Sequence, residues 1–387
     1  MLHPLYAETR QTLCQRVDPV DKRHLDRIAE MVSACLLSGS CCLPDWVPYA
    51  LVGRSERARA AEERWAYALH NERIEVADIY APLVHDAIRH FEGETVFLCL
   101  DTSVLWNRLC LVSVCIRAGG RCIPLCWKLL EHASASVKFS VYQPLLEQAR
   151  SLLPPQCRPF LLADRGFDHL QLVAYLQDEG WGFNIRVKGN RCFWSKQGRR
   201  TSIAQLTPGT GEGRLVSGVA LDRQQQRRCN LVVGIPRGGR ERWAVLTSEP
   251  PTLEVIEQYG WRFQIEGFFR DLKSGQFELP TTGFKDVAAI NRLLMVLNLA
   301  TLWAVQQGQA VCRHNLRRQV DGHTRRGMTY LRLGLQWLQK VLAQGRKLLP
   351  NRPLDPNRQA SAQSSQRQAL RRASRSQFDH LITLNYT

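Results

Sequence analysis

The chain is 387 residues long and 44% apolar, enough to bury a sizeable core over two or three structural units and too apolar for a disordered protein. Its 52 Lys and Arg against 35 Asp and Glu leave a formal charge of +17, which points to a polyanion partner, because each neutralised phosphate releases condensed counterions. The apolar runs fall short of the ~20 residues of a membrane span and "MLHPLYAETRQTLCQR" lacks a signal-peptide core, so no membrane association and a cytoplasmic location are expected.

In chain order, residues 1–92 read as an N-terminal helical domain, a candidate DNA-binding unit whose basic residues leave the question of contact open. "HLDRIAEMVSACLLSGS" carries apolar residues at helical spacing and stops at Gly39. "SERARAAEERWAYALHN" opens at Ser55 with a weakened capping box, since Ala58 stands where Glu would close it. From Thr95 the pattern turns to strands. "TVFLCLD" is a short apolar run ending at Asp101, and "RLCLVSVCIRAGGRCIPLCWKLL" reads as two runs joined in a hairpin at Gly119 and Gly120. A helix is expected from near Pro144, then the strand "FLLAD" ending at Asp164, then a helix with Asp168 as N-cap and Gly180 just past its end, and then the strand "FNIRVKG". Residues 93–188 thus form the first part of an α/β unit.

Between 189 and 252 the turn formers "KGN", "PGTGEG" and "PRGGRE" separate "RLVSGVAL", "CNLVVGI" and "WAVLTS", a mostly β insertion. The α/β unit resumes over 253–310 with a charged amphipathic helix followed by "AAINRLLMVLNLATLWAV", which suits a core. Residues 311–387 hold 15 Arg and Lys against 3 Asp: a basic helical region and, beyond Pro350, a Ser, Gln and Arg rich tail expected to be flexible. A solvated tail and a DNA contact surface both fit that charge. The 13 cysteines follow no zinc spacing and read as reduced, mostly buried thiols.

The chemistry concentrates in "YGWRFQIEGFFRDLKSG". At about 100° per residue, Tyr259, Arg262, Glu266, Arg270 and Lys273 fall within an arc of roughly 80°, with Trp261, Ile265, Phe268, Phe269 and Leu272 on the other side. Arg262 with Glu266, and Glu266 with Arg270, are also spaced as ordinary solvated i,i+4 pairs. Asp101 and Asp164, taken singly, suit turn or cap chemistry. Together, two strand-end aspartates and a glutamate on a later helix suggest convergence. Three close carboxylates repel one another unless a cation compensates. Their hard oxygens favour Mg²⁺ or Mn²⁺, and two such ions roughly 4 Å apart serve phosphodiester transfer.

On these residues the chain resembles bacterial insertion-sequence transposases of the DDE superfamily, in the subgroup named for a Tyr, Arg, Glu, Lys signature. YxxRxxxExxxxxxK is met at Tyr259, Arg262, Glu266 and Lys273, "CLDT" supplies Asp101 and "LADRGF" supplies Asp164, the likeness running from about residue 20 to residue 345. The resemblance implies a ribonuclease H-like catalytic domain interrupted by the β insertion. It further implies that Asp101, Asp164 and Glu266 bind two Mg²⁺ ions, that Arg262 and Lys273 hold phosphates, and that Tyr259 contacts DNA, with Arg270 in support. Trp243 matches a tryptophan that stacks on a flipped base in similar enzymes, and packing in the insertion's own core is the alternative. Trp194 is a weaker candidate for the DNA surface. The insertion is compact and the C-terminal region short for a large dimerisation domain.

The expected activity is DNA transposition: cleavage of the ends of an insertion sequence and joining of the 3′-hydroxyls to target DNA, by a homodimer on double-stranded DNA. Two other activities fit the same fold, a silent DNA-binding regulator and a structure-specific nuclease.

Overall fold

The computed structural model describes residues 4–18, 21–50, 57–206, 208–224, 226–235, 237, 241–323, 327–357, 378 and 380–385. The expected cap at Ser55, most of the "PRGGRE" turn and the expected flexible stretch 358–377 lie outside the described residues. A mixed sheet runs through the molecule. Its strands are β1 (Thr95–Leu105), β2 (Leu109–Ala118), β3 (Arg121–Leu130), β4 (Arg158–Ala163), β5 (Gly182–Arg186), β6 (Cys192–Trp194), β7 (Arg200–Ser202), β8 (Glu212–Ala220), β9 (Arg228–Gly234), β10 (Trp243–Thr247) and β11 (His380–Asn385). They lie in the order β3-β2-β1-β4-β5-β10-β9-β8-β6-β7, with β11 paired to β8. β1 is antiparallel to β2 and parallel to β4, and β4 is parallel to β5.

Two tight turns build the β1–β2–β3 meander. Gly119 and Gly120 take φ of 58° and 83°, the left-handed geometry expected between β2 and β3. The turn between β1 and β2 has the same handedness at Trp106 and Asn107, with no glycine to announce it. Trp106 is held there by its indole N–H, which donates to the Pro280 carbonyl at 3.0 Å.

The stretch read as a mostly β insertion extends the central sheet. β10 pairs antiparallel with β5, so β5 has a strand on both sides and β9 and β8 follow outward. The physical reason is that β5 would otherwise present an open edge of backbone donors and acceptors.

The helices are α1 (Pro4–Arg16), α2 (Lys22–Ser38), α3 (Leu43–Trp46), α4 (Ala58–His70), α5 (Val76–Ala87), α6 (Phe139–Leu152), α7 (Leu170–Asp178), α8 (Glu254–Tyr259), α9 (Gln264–Arg270), α10 (Val287–Arg313) and α11 (Tyr330–Ala343). α2 is capped by Asp21 and ends at Gly39 in the left-handed conformation. α6 starts at Phe139, before the expected Pro144, which sits inside the helix. α7 has His169 rather than Asp168 at its N-cap, because Asp168 turns to Arg191 and the Lys188 amide.

α10 is the organising helix. It is long and apolar enough by length and composition to cross a bilayer, yet 83% of its most apolar stretch is buried inside the protein. The N-terminal helices share its core: Arg292 of α10 donates to the carbonyls of Ile74 and Leu69 at 3.0 and 3.2 Å. α11 packs at backbone contact, where a Cβ on Gly308 would stand 2.0 Å from the Tyr330 oxygen and one on Gly334 1.8 Å from the Ala304 oxygen.

Candidate active site

β1 and β4 bring the two aspartates together by register alone. Leu100 lies opposite Ala163 in the parallel ladder, so the next residues along, Asp101 and Asp164, are neighbours on adjacent strands. Asp164 leaves the strand and caps the short turn Arg165–Phe167, its carboxylate accepting from the Gly166 amide. Asp101 does not end its strand as expected. β1 continues through Thr102 and Ser103, paired with Val112 and Leu111 of β2, to the turn at Trp106. Those two polar residues look like a terminus in sequence, but the ladder with β2 carries the strand past them.

The charged segment was expected to be one helix and is instead four joined stretches of three different pitches. α8 gives way to a 3₁₀ stretch, Gly260–Phe263, then to α9, then to a π-helical stretch, Asp271–Gly275. Each change of pitch alters the rotation per residue, so the single polar arc of an ideal helix does not persist. Gly275 suits the wide last turn, since a Cβ there would meet the Arg270 carbonyl oxygen at 3.1 Å. The apolar side behaves as expected. Ile265, Phe268, Phe269 and Leu272 are buried, and Trp261 meets Phe97 of β1 edge-on at 4.8 Å with the Arg117 guanidinium 4.2 Å from its ring centre. Gly267 makes room for Arg121, whose Nη1 would lie 2.4 Å from a Cβ there.

Arg262 is the hub of the site. Its Nη1 donates to Asp101 Oδ2 at 2.8 Å, its Nη2 to Glu266 Oε1 at 2.8 Å, and its Nε to the Tyr259 hydroxyl at 3.2 Å. Its side chain is 3% exposed, against 16% for Asp101 and 47% for Glu266. Burial pushes the Asp101 carboxyl up to about 6; the Arg262 charge and the Thr102 amide oppose this, and the charges of Asp164 and Glu266 add to it. Burial also works against the charge of Arg262, but Tyr259, Asp101 and Glu266 outweigh it and its pKa lies above the ordinary arginine value. The two shifts are compatible. One guanidinium faces a cluster of carboxylates, so it is well satisfied while Asp101, the most buried of them, is under-compensated.

The remaining signature residues separate. Tyr259 is fully buried, with burial raising its pKa, so its hydroxyl meets Arg262 rather than solvent. Arg270 is exposed and faces Asp271 electrostatically. Lys273 is half-buried, its pKa lowered by that burial, and makes no ion pair among the described residues.

Trp243 opens β10 and packs edge-on to Tyr259 at 5.6 Å and against Phe263 at 5.8 Å. It thus packs on a small apolar cluster that joins Val232 and Val245 of the insertion to Val255 and Tyr259 of α8, on the Arg262 side of the site. Arg186, at the end of β5, lies over its ring at 5.8 Å and pairs with Glu241. Nearby, Arg165, Arg186, Lys188, Arg242 and Glu241 line a cavity of about 380 Å³. Sequence reading missed Arg186, Lys188 and Arg242, whose only signal was their position at a strand end and a turn.

The donor set suits a divalent cation: Asp101, Asp164 and Glu266 offer hard oxygens, and the raised pKa of Asp101 marks a place where more positive charge would be stabilising. As the side chains lie, no three metal-ligating residues among those described stand close enough to hold an ion, and Arg262 engages one oxygen each of Asp101 and Glu266.

Residues 138–303 match the family model of the transposase DDE domain. The matched stretch holds Asp164 and Glu266 and begins downstream of Asp101. No match was found among curated proteins. Among solved structures, the cryo-EM structure of a piggyBac transposase synaptic complex with hairpin DNA is 10% identical, with a TM-score of 0.47 over 89% of this chain and 80% of that one.

Proposed function

We propose that this chain is a DNA transposase that cleaves the ends of its insertion sequence and joins the 3′-hydroxyls to target DNA. The observation that carries this reading is the meeting of Asp101 and Asp164 on adjacent parallel strands, with Glu266 joined to Asp101 through Arg262, beside a stretch that matches the transposase DDE domain. The strand order β3-β2-β1-β4-β5, with β2 alone running against the other four, supports a ribonuclease H-like core for that domain.

In this reading Asp101, Asp164 and Glu266 hold Mg²⁺, with Mn²⁺ able to substitute. A bound pair of such ions supplies Lewis-acid activation for phosphodiester transfer. The chain's own residues do the positioning. Arg262, fixed by Tyr259, orients two of the carboxylates with its planar fork. Lys273, half-buried and without an ion pair among the described residues, is suited to a phosphate. Arg186, Lys188 and Arg242 extend positive charge from the site along the strand ends, and Trp243 offers a partly exposed ring. The enzyme would act as a homodimer on double-stranded DNA in the bacterial cytoplasm.

One observation favours a second reading. Arg262 pairs with two of the three carboxylates and offsets part of their charge, an arrangement that a silent DNA-binding regulator could also use. An end-cleavage assay with Mg²⁺ decides. Asp164→Asn should abolish cleavage while leaving end binding in a gel shift nearly unchanged; cleavage retained by this variant overturns the metal-ligand assignment. Cleavage by the wild type without strand transfer would instead identify a structure-specific nuclease.

A further inference from the structure

The outer edge of β8 carries two strands. Near its end Ala220 pairs with Trp194 of β6, and along Glu212–Ser217 it carries β11 in parallel register, from His380 opposite Glu212 to Asn385 opposite Ser217. The seat for β11 is shaped by two glycines that face each other across the β8–β9 ladder, Gly213 and Gly234. A Cβ on Gly234 would lie 2.4 Å from the Phe378 ring, and one on Gly213 2.9 Å from Leu381 Cδ2. Neither glycine has a positive φ, so the missing side chain serves space rather than backbone conformation.

The strand is lightly held. Leu384 packs against the main core, but Leu381 and Ile382 stay 47% and 43% exposed. Twenty residues, 358–377, separate Asn357 from Phe378. Fully extended, such a connection reaches about 70 Å, against a radius of gyration of about 21 Å for a folded chain of this length. The C-terminal strand can therefore reach the β8 edge of a neighbouring copy as well as its own.

We propose that Glu212–Ser217, with the hollow at Gly213 and Gly234, is a strand-docking site through which two copies of this chain exchange residues 378–385. Backbone pairing along the edge supplies attachment and the glycine hollow selects Phe378 and Leu381. Exchange reproduces between copies every contact seen within one, so it gives up no pairing, and what it must meet is the cost of association and the competition of the chain's own strand. The exchanged strand would also sit beside the start of the partner's α8. Leu253, the N-cap of α8, lies 3.8 Å from the Cβ position of Gly213, and α8 leads directly to Tyr259 and Arg262. The proposal involves none of the carboxylates, so it stands or falls separately from the cleavage chemistry.

Two full-length variants test it. Gly234→Val fills the hollow and keeps the tail strand; Ile382→Pro disables the tail strand and keeps the hollow. In sedimentation equilibrium the wild type should show dimer, each variant alone should lose it, and their equimolar mixture should regain a dimer held by one intact tail in one intact seat. In parallel, hydrogen exchange should find those amides of Glu212–Ser217 that face β11, rather than the alternate ones paired with β9, unprotected in Ile382→Pro and protected again once Gly234→Val is added. A wild type that stays monomeric, or a mixture that regains neither dimer nor protection, overturns the proposal. If melting shows Gly234→Val to be unfolded, Gly213→Val closes the same hollow from the other strand.

Discussion

Arg262 touches Asp101, Glu266 and Tyr259 from a nearly fully buried position, so its removal leaves an uncompensated carboxylate inside the protein. Arg262→Ala should lower folding stability by roughly 3–5 kcal/mol, the usual effect of breaking a buried pair from one side, measurable by urea denaturation at pH 7. Tyr259 holds the guanidinium at its Nε and so ranks as a positioning residue. Asp101 gives a pH signature. Its folded pKa of about 6 lies above the ordinary 3.8, so between these values the folded chain keeps a proton that the unfolded chain has lost. Stability should therefore fall as pH rises from about 4 to about 6, by roughly 3 kcal/mol, and level off above. Asp101→Asn should flatten that slope in denaturation curves taken across the window; an unchanged slope would assign it to other groups.

At the scale of elements, the segment from Glu254 to Gly275 departs furthest from the ideal geometry that sequence spacing assumes. Periodicity identifies which residues are apolar, and Ile265, Phe268 and Leu272 are buried accordingly. It does not specify pitch, and the 3₁₀ and π stretches place Arg262 inside the protein and Arg270 outside. β1 teaches the same lesson in another form, since only pairing with β2 shows that Asp101 is internal. The contact between α10 and α11 depends on two glycines with backbone atoms where a side chain would be. Gly334→Ala should destabilise the fold by about 1–3 kcal/mol, as overpacking does in closely packed interiors, seen as a lower melting temperature. A neutral substitution would mean that the helices separate without penalty.

For the molecule as a whole, one sheet and one long helix unite segments that sequence reading had divided. The main hydrophobic core takes residues from both the N-terminal and the C-terminal helices, α8 excepted, and from strands on both sides of β5. The cysteines report this burial. All 13 are free, nine of them buried, and burial pushes the Cys41 thiol up to about 12 and the Cys110 thiol up to about 11. A thiol reagent at pH 7 should label Cys14 fastest, then Cys42, Cys192 and Cys312, and the remaining nine only on unfolding. Early labelling of Cys99 or Cys115 in peptide mapping would mean that the β1–β2 pair opens readily.

The amino-acid sequence by itself determined the identity of the candidate site residues, the hairpin at Gly119 and Gly120, the end of α2 at Gly39 and the apolar side of the Glu266 helix, because these are set by local conformational preference and by the spacing of apolar groups along one chain. The tertiary structure alone decided that Arg262 lies between Asp101 and Glu266, that Tyr259 and Trp243 pack on one side of it, and that β10 continues the sheet beyond β5. Those outcomes depend on which backbone edges find partners and on charges burying beside one another across as many as 161 residues of chain, and local spacing holds no information about either.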